Sequence, residues 1–257
     1  MKRIFIRFMS LMIFVAIYYI LTEFKVKSFI HADNLPTIKE LWMSFLIYIP
    51  DSEFWYSVIA SLFRVFVGFT TAILIAIPLG LMMGLYTNVY DFLYALTEIL
   101  RPIPNVAWVP IAIIIFPHIE MSIYFITFIG AFFPILLNTI KGVQTIEHRY
   151  VQQAQLLGLN KVRTITHVIF PAALPLIFIG MSIGLGVSWL GLIVAESTYG
   201  TDGIGYFTFK NLQLVDYQGI VIGMMVIGLL GMMTNSVVTL FSHYINAWHF
   251  HEKKIWN

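Results

Sequence analysis

Long unbroken apolar runs dominate the chain, separated by short polar stretches. Their length sets the reading, because crossing a bilayer as a helix takes about 20 apolar residues. Six such segments can be placed, at residues 4–21, 59–86, 92–116, 121–140, 168–195 and 217–247. The stretch 65–85 carries no charge at all. The segment 92–116 is the least regular, with Glu98, Arg101 and three prolines. All six are read as helices, since an open strand in lipid leaves backbone groups without partners. The runs are continuous, whereas strands of a membrane barrel alternate apolar and polar positions over about ten residues.

Composition supports this reading. Of 257 residues, 59% are hydrophobic and 11% are charged, against about 25% charged in a soluble domain. One soluble core could not hide so much apolar surface. The expectation is therefore an all-α integral membrane protein, with lipid as its first partner. A net charge of +2, with basic residues scattered, does not point to nucleic acid. The chain has no cysteine, which removes disulfides, thiolate metal sites and cysteine nucleophiles.

Lys2, Arg3 and Arg7 precede the apolar run 8–21 in the manner of a secretory signal. Thr22, Glu23, Phe24 and Lys25 follow where a small-x-small cleavage site would stand, so the segment is expected to remain as the first span. Lysine and arginine in the loops set the orientation. With the N-terminus inside, Lys2, Arg3, Arg7, Lys141, Arg149, Lys161, Arg163, Lys253 and Lys254 are cytosolic, against Lys25, Lys27, Lys39 and Lys210 outside. Both termini are expected in the cytosol. Residues 1–57 form a first span plus an outer interfacial segment, and residues 58–257 form the core. In the outer segment, Leu41, Trp42, Phe45, Leu46 and Ile49 share a helical face behind Lys39 and Glu40, which suits a helix capping the bundle.

The longest inner loop, about 141–167, is polar and reads as two short helices. One ends near Leu157, and Gly158 can take the left-handed turn that closes it. The next starts at Lys161 and runs into Pro171. A helix with small Ala154 would let a partner approach, a glycine turn would fix the angle of the next helix, and a helix-starting proline would anchor that helix to a span. Such an elbow can pass a rigid push from a soluble partner to the bundle. The alternative is a hairpin that only turns the chain.

Gln152, Gln153, Ala154, Gly158, Ile169, Phe170, Pro171, Leu174 and Pro175 stand at the spacing of the permease signature of ABC importers. That signature is Glu-Ala-Ala, three residues, Gly, about nine residues, then a hydrophobic residue and Leu-Pro. Gln152 and Gln153 replace its first two residues, and Phe170 replaces the leucine before Pro171. Further pieces follow in order over residues 35–247. They include Ser61-Leu62-Phe63-Arg64-Val65 with Gly68, Ile77-Pro78-Leu79-Gly80 with Gly84, and Leu100-Arg101-Pro102-Ile103-Pro104. Phe132-Phe133-Pro134 with Asn138 and Thr139, Trp189-Leu190-Gly191, Val194-Ala195-Glu196 and Gly203-Ile204-Gly205 complete the set. Together they resemble the nitrate/sulfonate/taurine branch of binding-protein-dependent permeases. Pro117 departs from it, standing where the family commonly has glycine.

The resemblance implies the type I ABC importer permease fold, with about six transmembrane helices and a cytosolic coupling elbow, in a bacterial plasma (inner) membrane. It implies a second permease copy, a cytosolic ABC ATPase dimer and an extracytoplasmic solute-binding protein. Gln152, Gln153, Ala154, Gly158 and Pro171 are the ATPase-coupling residues it implies. The chain lacks a phosphate-binding Gly-x-x-x-x-Gly-Lys-Ser/Thr loop. ATP with Mg is therefore expected in the separate ATPase, and this chain is expected to hold no cofactor and to be no enzyme. The implied mechanism is alternating access, in which ATP binding draws the elbows together. The cargo is a small solute such as nitrate, a sulfonate or taurine.

Charges inside spans are costly and often functional. Arg64 reads as snorkelling from the outer start of the second span, and Glu98 with Arg101 as a surface pair three apart. Glu196 lines or gates the path, or marks the membrane boundary. Asn138 and Trp189 face the cavity or serve helix contacts. Gly80 and Gly84, Gly180 and Gly184, and Gly219 and Gly223 suit close crossings, within one subunit or between two. His249 and His251 lack a third ligand at helical spacing, so no metal site is expected. Two rival functions stand beside the importer. An ion-gradient-driven secondary transporter would use midplane ion sites, and a membrane enzyme would show a catalytic motif or carboxylate cluster, of which none is apparent.

Overall fold

The computed structural model describes residues 2–23 and 34–247. His249, His251, Lys25, Lys27, Lys253 and Lys254 lie outside them. Every regular element among the described residues is helical. They are α1 (Lys2–Glu23), α2 (Ile38–Tyr48), α3 (Ser52–Leu85), α4 (Thr87–Leu100), α5 (Val109–Ile115), α6 (Ile119–Gln144), α7 (His148–Leu156), α8 (Lys161–Thr164), α9 (Phe170–Tyr199), α10 (Ile204–Gln213) and α11 (Tyr217–Ile245). A 3-10 turn, Asn105–Trp108, leads into α5, and a π turn, Ile165–Ile169, joins α8 to α9.

Among the described residues, four helices are long and apolar enough to cross a membrane: Ser52–Leu85, Ile119–Gln144, Lys161–Tyr199 and Tyr217–Ile245. The expected third span is not one straight helix. Thr87–Leu100 and Asn105–Ile115 qualify only together, and they meet at 88°. The cause is the Arg101-Pro102-Ile103-Pro104 run: Arg101 is still helical, but Pro102 and Pro104 have no backbone N–H with which to continue the ladder. Glu98 and Arg101 do pair, at 3.1 Å on the surface, just before this break. In α1 the apolar stretch is shorter, Phe8–Glu23. Pro117 sits exposed in the short turn between α5 and α6.

Side-chain caps start several helices. Thr37 and Glu40 bond each other's backbone at the start of α2, Asp51 accepts from Glu53 N–H at α3, and Asp216 accepts from Gly219 N–H at α11. Each fills a donor that a helix end leaves open.

The core is a close triple of α3, α6 and α9. α3 and α6 run side by side in one direction, with Gly68 against Thr127, Gly80 against Thr139 and Gly84 against Val143. α9 runs the opposite way along α6, with Gly184 on Ala131, Gly180 on Asn138 and Ala173 on Gly142. A methyl group added to Gly80 would stand 2.7 Å from Thr139 Cβ, and one on Gly184 would stand 2.9 Å from the Ala131 carbonyl oxygen. Gly219 and Gly223 likewise meet Asn211 and Thr208 of α10. All three glycine pairs therefore serve crossings inside one subunit. Backbones this close gain dispersion contacts that replace the missing hydrophobic drive between helices in lipid.

α2 caps the bundle, as expected, but its face divides differently. Leu41 and Phe45 turn toward the core, while Trp42, Leu46 and Ile49 are exposed. Its last residue does the fixing. The Tyr48 ring lies 5.8 Å from Phe54 and 5.1 Å from Phe207, and its hydroxyl donates to Asp216 at 3.0 Å. Burial, helped by that bond to a carboxylate, pushes the Tyr48 phenol up to about 12.

Candidate functional site

Two polar constructions lie at opposite ends of the triple. α6 begins beside one and leads into the other, and its 26 residues span about 39 Å at 1.5 Å per residue.

The first is the elbow, α7 to α9. α7 ends as the glycine predicts. Gly158 has φ 80°, its N–H bonds the Gln155 carbonyl at 2.9 Å, and Leu159 N–H reaches back to the Ala154 carbonyl at 3.0 Å. This is the Schellman pattern, which a residue with a Cβ resists because of its left-handed backbone. Asn160 then caps α8 by accepting from Arg163 N–H at 2.9 Å. The two caps set the angle between α7 and the long helix.

Gln152 and Gln153 are exposed, as an ATPase contact would require. Ala154 is not. It is 4% exposed and faces into the elbow, so its small size serves internal contact and not the approach of a partner. Pro171 takes the place that its type suggests. It stands in the first turn of α9, as expected, but α9 is not a separate piece, because residues 161–199 run as one apolar helix through the π turn. Its ring crowds the carbonyl four residues back. The chain widens there into the π turn, in which Phe170 N–H bonds the Ile165 carbonyl. The elbow and the span are thus one mechanical piece.

At the tip, Leu156 is 87% exposed, Leu157 80% and Val162 68%. All three flank Gly158, among exposed Lys161 and Arg163. A cluster of bare aliphatic side chains on a polar loop is a surface built to be covered.

The second construction surrounds Arg64, and no pattern in the sequence announced it. Arg64 does not snorkel; it is 3% exposed. Its guanidinium has five N–H donors. Nε and Nη2 bind Glu120, Nη2 also binds Asp202 Oδ1 at 2.5 Å, and Nη1 binds Glu196 Oε1 at 2.9 Å and the Asp202 carbonyl at 3.0 Å. Glu196 is fully buried. It also accepts from Ser61 Oγ at 2.8 Å and from Gly205 N–H at 2.9 Å, while Ser61 accepts from Ile204 N–H at 2.8 Å. Three carboxylates from distant positions thus cluster on one arginine, where the sequence showed no cluster. The node ties α3, α6, α9 and the 200–205 loop together. Gly203, at φ 105°, lies so close to the Glu196 carboxyl group that a Cβ would clash with it.

Of the path candidates, Glu196 therefore sits in a closed, satisfied node. Asn138 donates to the Pro134 carbonyl at 2.8 Å and abuts Gly180. Trp189 is 5% exposed and donates to Thr234 Oγ1 at 3.1 Å, joining α9 to α11. Within the subunit, both occupy helix contacts. An apolar cavity of about 600 Å³ opens between α3, α9 and α11, lined by residues such as Val65, Phe69, Leu185 and Val238. Such walls offer a polar solute almost nothing to bind. The described residues contain no group of acidic and histidine side chains that could hold a metal.

Comparison with known proteins adds the remaining observation. Residues 76–248 match the family described as binding-protein-dependent transport system inner membrane component. The nitrate import permease protein NrtB of Synechocystis sp. is 34% identical over 195 residues, 76% of this chain and 71% of that protein. The bicarbonate transport system permease protein CmpB of Synechococcus elongatus is 37% identical over 196 residues, 76% and 70% of the two chains. The taurine transport system permease protein TauC of Escherichia coli is 30% identical over 199 residues, 77% and 72%.

Proposed function

The chain belongs to the family of binding-protein-dependent transport system inner membrane components, and from that membership we propose how it works and what it carries. It is an integral membrane permease component of an ABC transporter, not an enzyme. Its ATPase and its solute-binding protein are separate chains. α1 and the bent α4–α5 pair complete six crossings, with both termini and the elbow in the cytosol. Two copies enclose the path.

The single observation that carries the mechanism is the elbow: a bare aliphatic tip at the Gly158 turn, with Leu156 and Leu157 closing α7 and Val162 at the start of the helix that continues into a full span. An ATPase that grips Leu156, Leu157 and Val162 moves α9 directly. The close contacts of α9 with α6, and of α6 with α3, carry the motion across the bilayer as a rigid-body shift. The Arg64 node holds the far ends of the same three helices, so the triple moves as a unit. ATP binding and hydrolysis thus alternate the face on which the path between two copies is open.

The cargo is a small solute with an oxyanion group, of the kind named for the relatives: nitrate, bicarbonate, or taurine with its sulfonate. The test is reconstitution with the ATPase and binding protein in proteoliposomes, followed by uptake of each labelled solute. Uptake that requires ATP on the ATPase side of the membrane supports the reading. Uptake driven by an ion gradient without the ATPase would favour a secondary transporter instead.

A further inference from the structure

Hydroxyl groups in the spans mostly satisfy themselves locally. Thr71, Thr139, Ser236 and Thr239 each donate to the carbonyl four residues back, at 2.7–2.9 Å. Ser182 does otherwise. Its hydroxyl reaches from α9 to Oδ1 of Asn235 on α11. Asn235 lies on the subunit surface. With Oδ1 taken, its amide nitrogen still carries two N–H donors, and neither meets a partner among the described residues.

Depth makes this consequential. Ser182 lies between Gly180, which meets Asn138, and Gly184, which meets Ala131, so it is level with the middle of the 26-residue α6. Hydrocarbon at that depth supplies no partner for an amide. An exposed, oriented asparagine there belongs against water or protein. The surface beside it is cut back, too. Gly186 on α9 and Gly228 on α11 have nothing within 4 Å of where a Cβ would stand. The exposed face that carries the Asn235 donor pair thus also carries glycines whose positions are open to the outside.

We propose that Asn235, held in orientation by Ser182, contacts the substrate in the translocation path and donates hydrogen bonds to the oxygens of a small oxyanion. This rests on the permease reading above and names a residue of the path. A neutral amide suits that role, because an anion must be held weakly enough to leave again, and a fixed cation at this depth would trap it. The apolar cavity flanks the same crossing, lined by the neighbouring Met181 and Thr234, but neither Ser182 nor Asn235 lines it.

The absence of cysteine from the chain makes the test clean. Asn235→Cys is assembled with the ATPase and binding protein in proteoliposomes and treated with 2-sulfonatoethyl methanethiosulfonate, itself a small sulfonate. The thiol is expected to react, to react at different rates with and without ATP, and to be shielded by whichever of nitrate, bicarbonate or taurine the wild type carries. Asn235→Ala raises the KM for that anion by about tenfold, the effect of one lost hydrogen bond to a charged group. Asn235→Asp loses more, because it presents a like charge. Ser182→Ala shifts KM in the same direction by less, as the amide loses its orientation. A thiol inert in every nucleotide state overturns the proposal. So does one that joins a second copy by disulfide without ever meeting the reagent, since the face is then a contact between subunits. If Asn235→Cys fails to insert, Ser182→Cys is read by the same criteria. A wild type with no ATP-driven uptake overturns the permease reading itself, and the labelling pattern still stands or falls separately.

Discussion

Arg64 Nη1 and Glu196 Oε1 are 2.9 Å apart although 132 positions separate the two residues, and both are buried. Removing one partner from a buried pair strands the other, at a cost of about 3–5 kcal/mol. Arg64→Leu should therefore lower the thermal unfolding temperature in detergent sharply. Arg64→Leu combined with Glu196→Leu should recover part of the loss, because no uncompensated charge remains at position 196. A double variant less stable than Arg64→Leu alone would mean that the pair is not the source of the effect.

The two glycines of positive φ should fail in different ways. At Gly203 any side chain meets the Glu196 carboxyl group, so Gly203→Ala disrupts the node and should destabilise by about 1–3 kcal/mol from overcrowding and backbone strain. At Gly158 nothing lies within 4 Å, so the cost is conformational alone. Gly158→Val should leave the spans folded yet uncouple ATP hydrolysis from uptake, and Gly158→Asn, which tolerates the left-handed region, should stay coupled. Paired measurement of hydrolysis and uptake checks both; normal coupling in Gly158→Val would remove the turn from the mechanism.

Tyr48 links pH to the attachment of α2. Its folded pKa, about 12, exceeds the usual phenol value of 10.0. The stabilisation is therefore complete below pH 10 and is lost as pH rises through 12. Difference absorbance of phenolate formation should show a late-titrating component that loses the equivalent of one tyrosine in Tyr48→Phe. An unchanged titration curve in that variant would show the phenol to be unperturbed.

What the sequence disclosed and what it concealed divide by distance along the chain. The Gly158 turn was legible because a Schellman cap needs only neighbours. The break in the third span was foreshadowed by Pro102 and Pro104, although its angle was not. The Arg64 node was illegible: Glu120, Asp202 and Glu196 are 56, 138 and 132 positions away, and local pattern alone suggested an arginine reaching for head groups. Asn138 and Trp189 stood out as polar groups in apolar runs, but periodicity does not tell a lumen-facing asparagine from one that bonds back to its own helix, as Asn138 does at the Pro134 carbonyl. Ser182 and Asn235 were missed for the same reason, since only the crossing of α9 and α11 brings them together.

The aliphatic tip of the elbow offers a prediction without a folding penalty. Leu156 and Leu157 are already in solvent, so Leu156→Asp and Leu157→Asp should change stability by no more than about 0.5 kcal/mol. They should nevertheless abolish co-purification of the ATPase. Intact binding by both variants would show that the partner grips elsewhere.

Cross-linking decides most directly whether this elbow is the handle of an ATP-driven machine. With no native cysteine in this chain to confuse the result, Gln152→Cys can be carried in membranes beside the co-expressed ATPase and exposed to a short thiol-to-amine bifunctional reagent. A cross-link to the ATPase, formed from the cytosolic side and altered in yield by ATP, is the predicted result. Labelling of that cysteine only from the external face, or no nucleotide-hydrolysing chain captured in any state, would contradict the account.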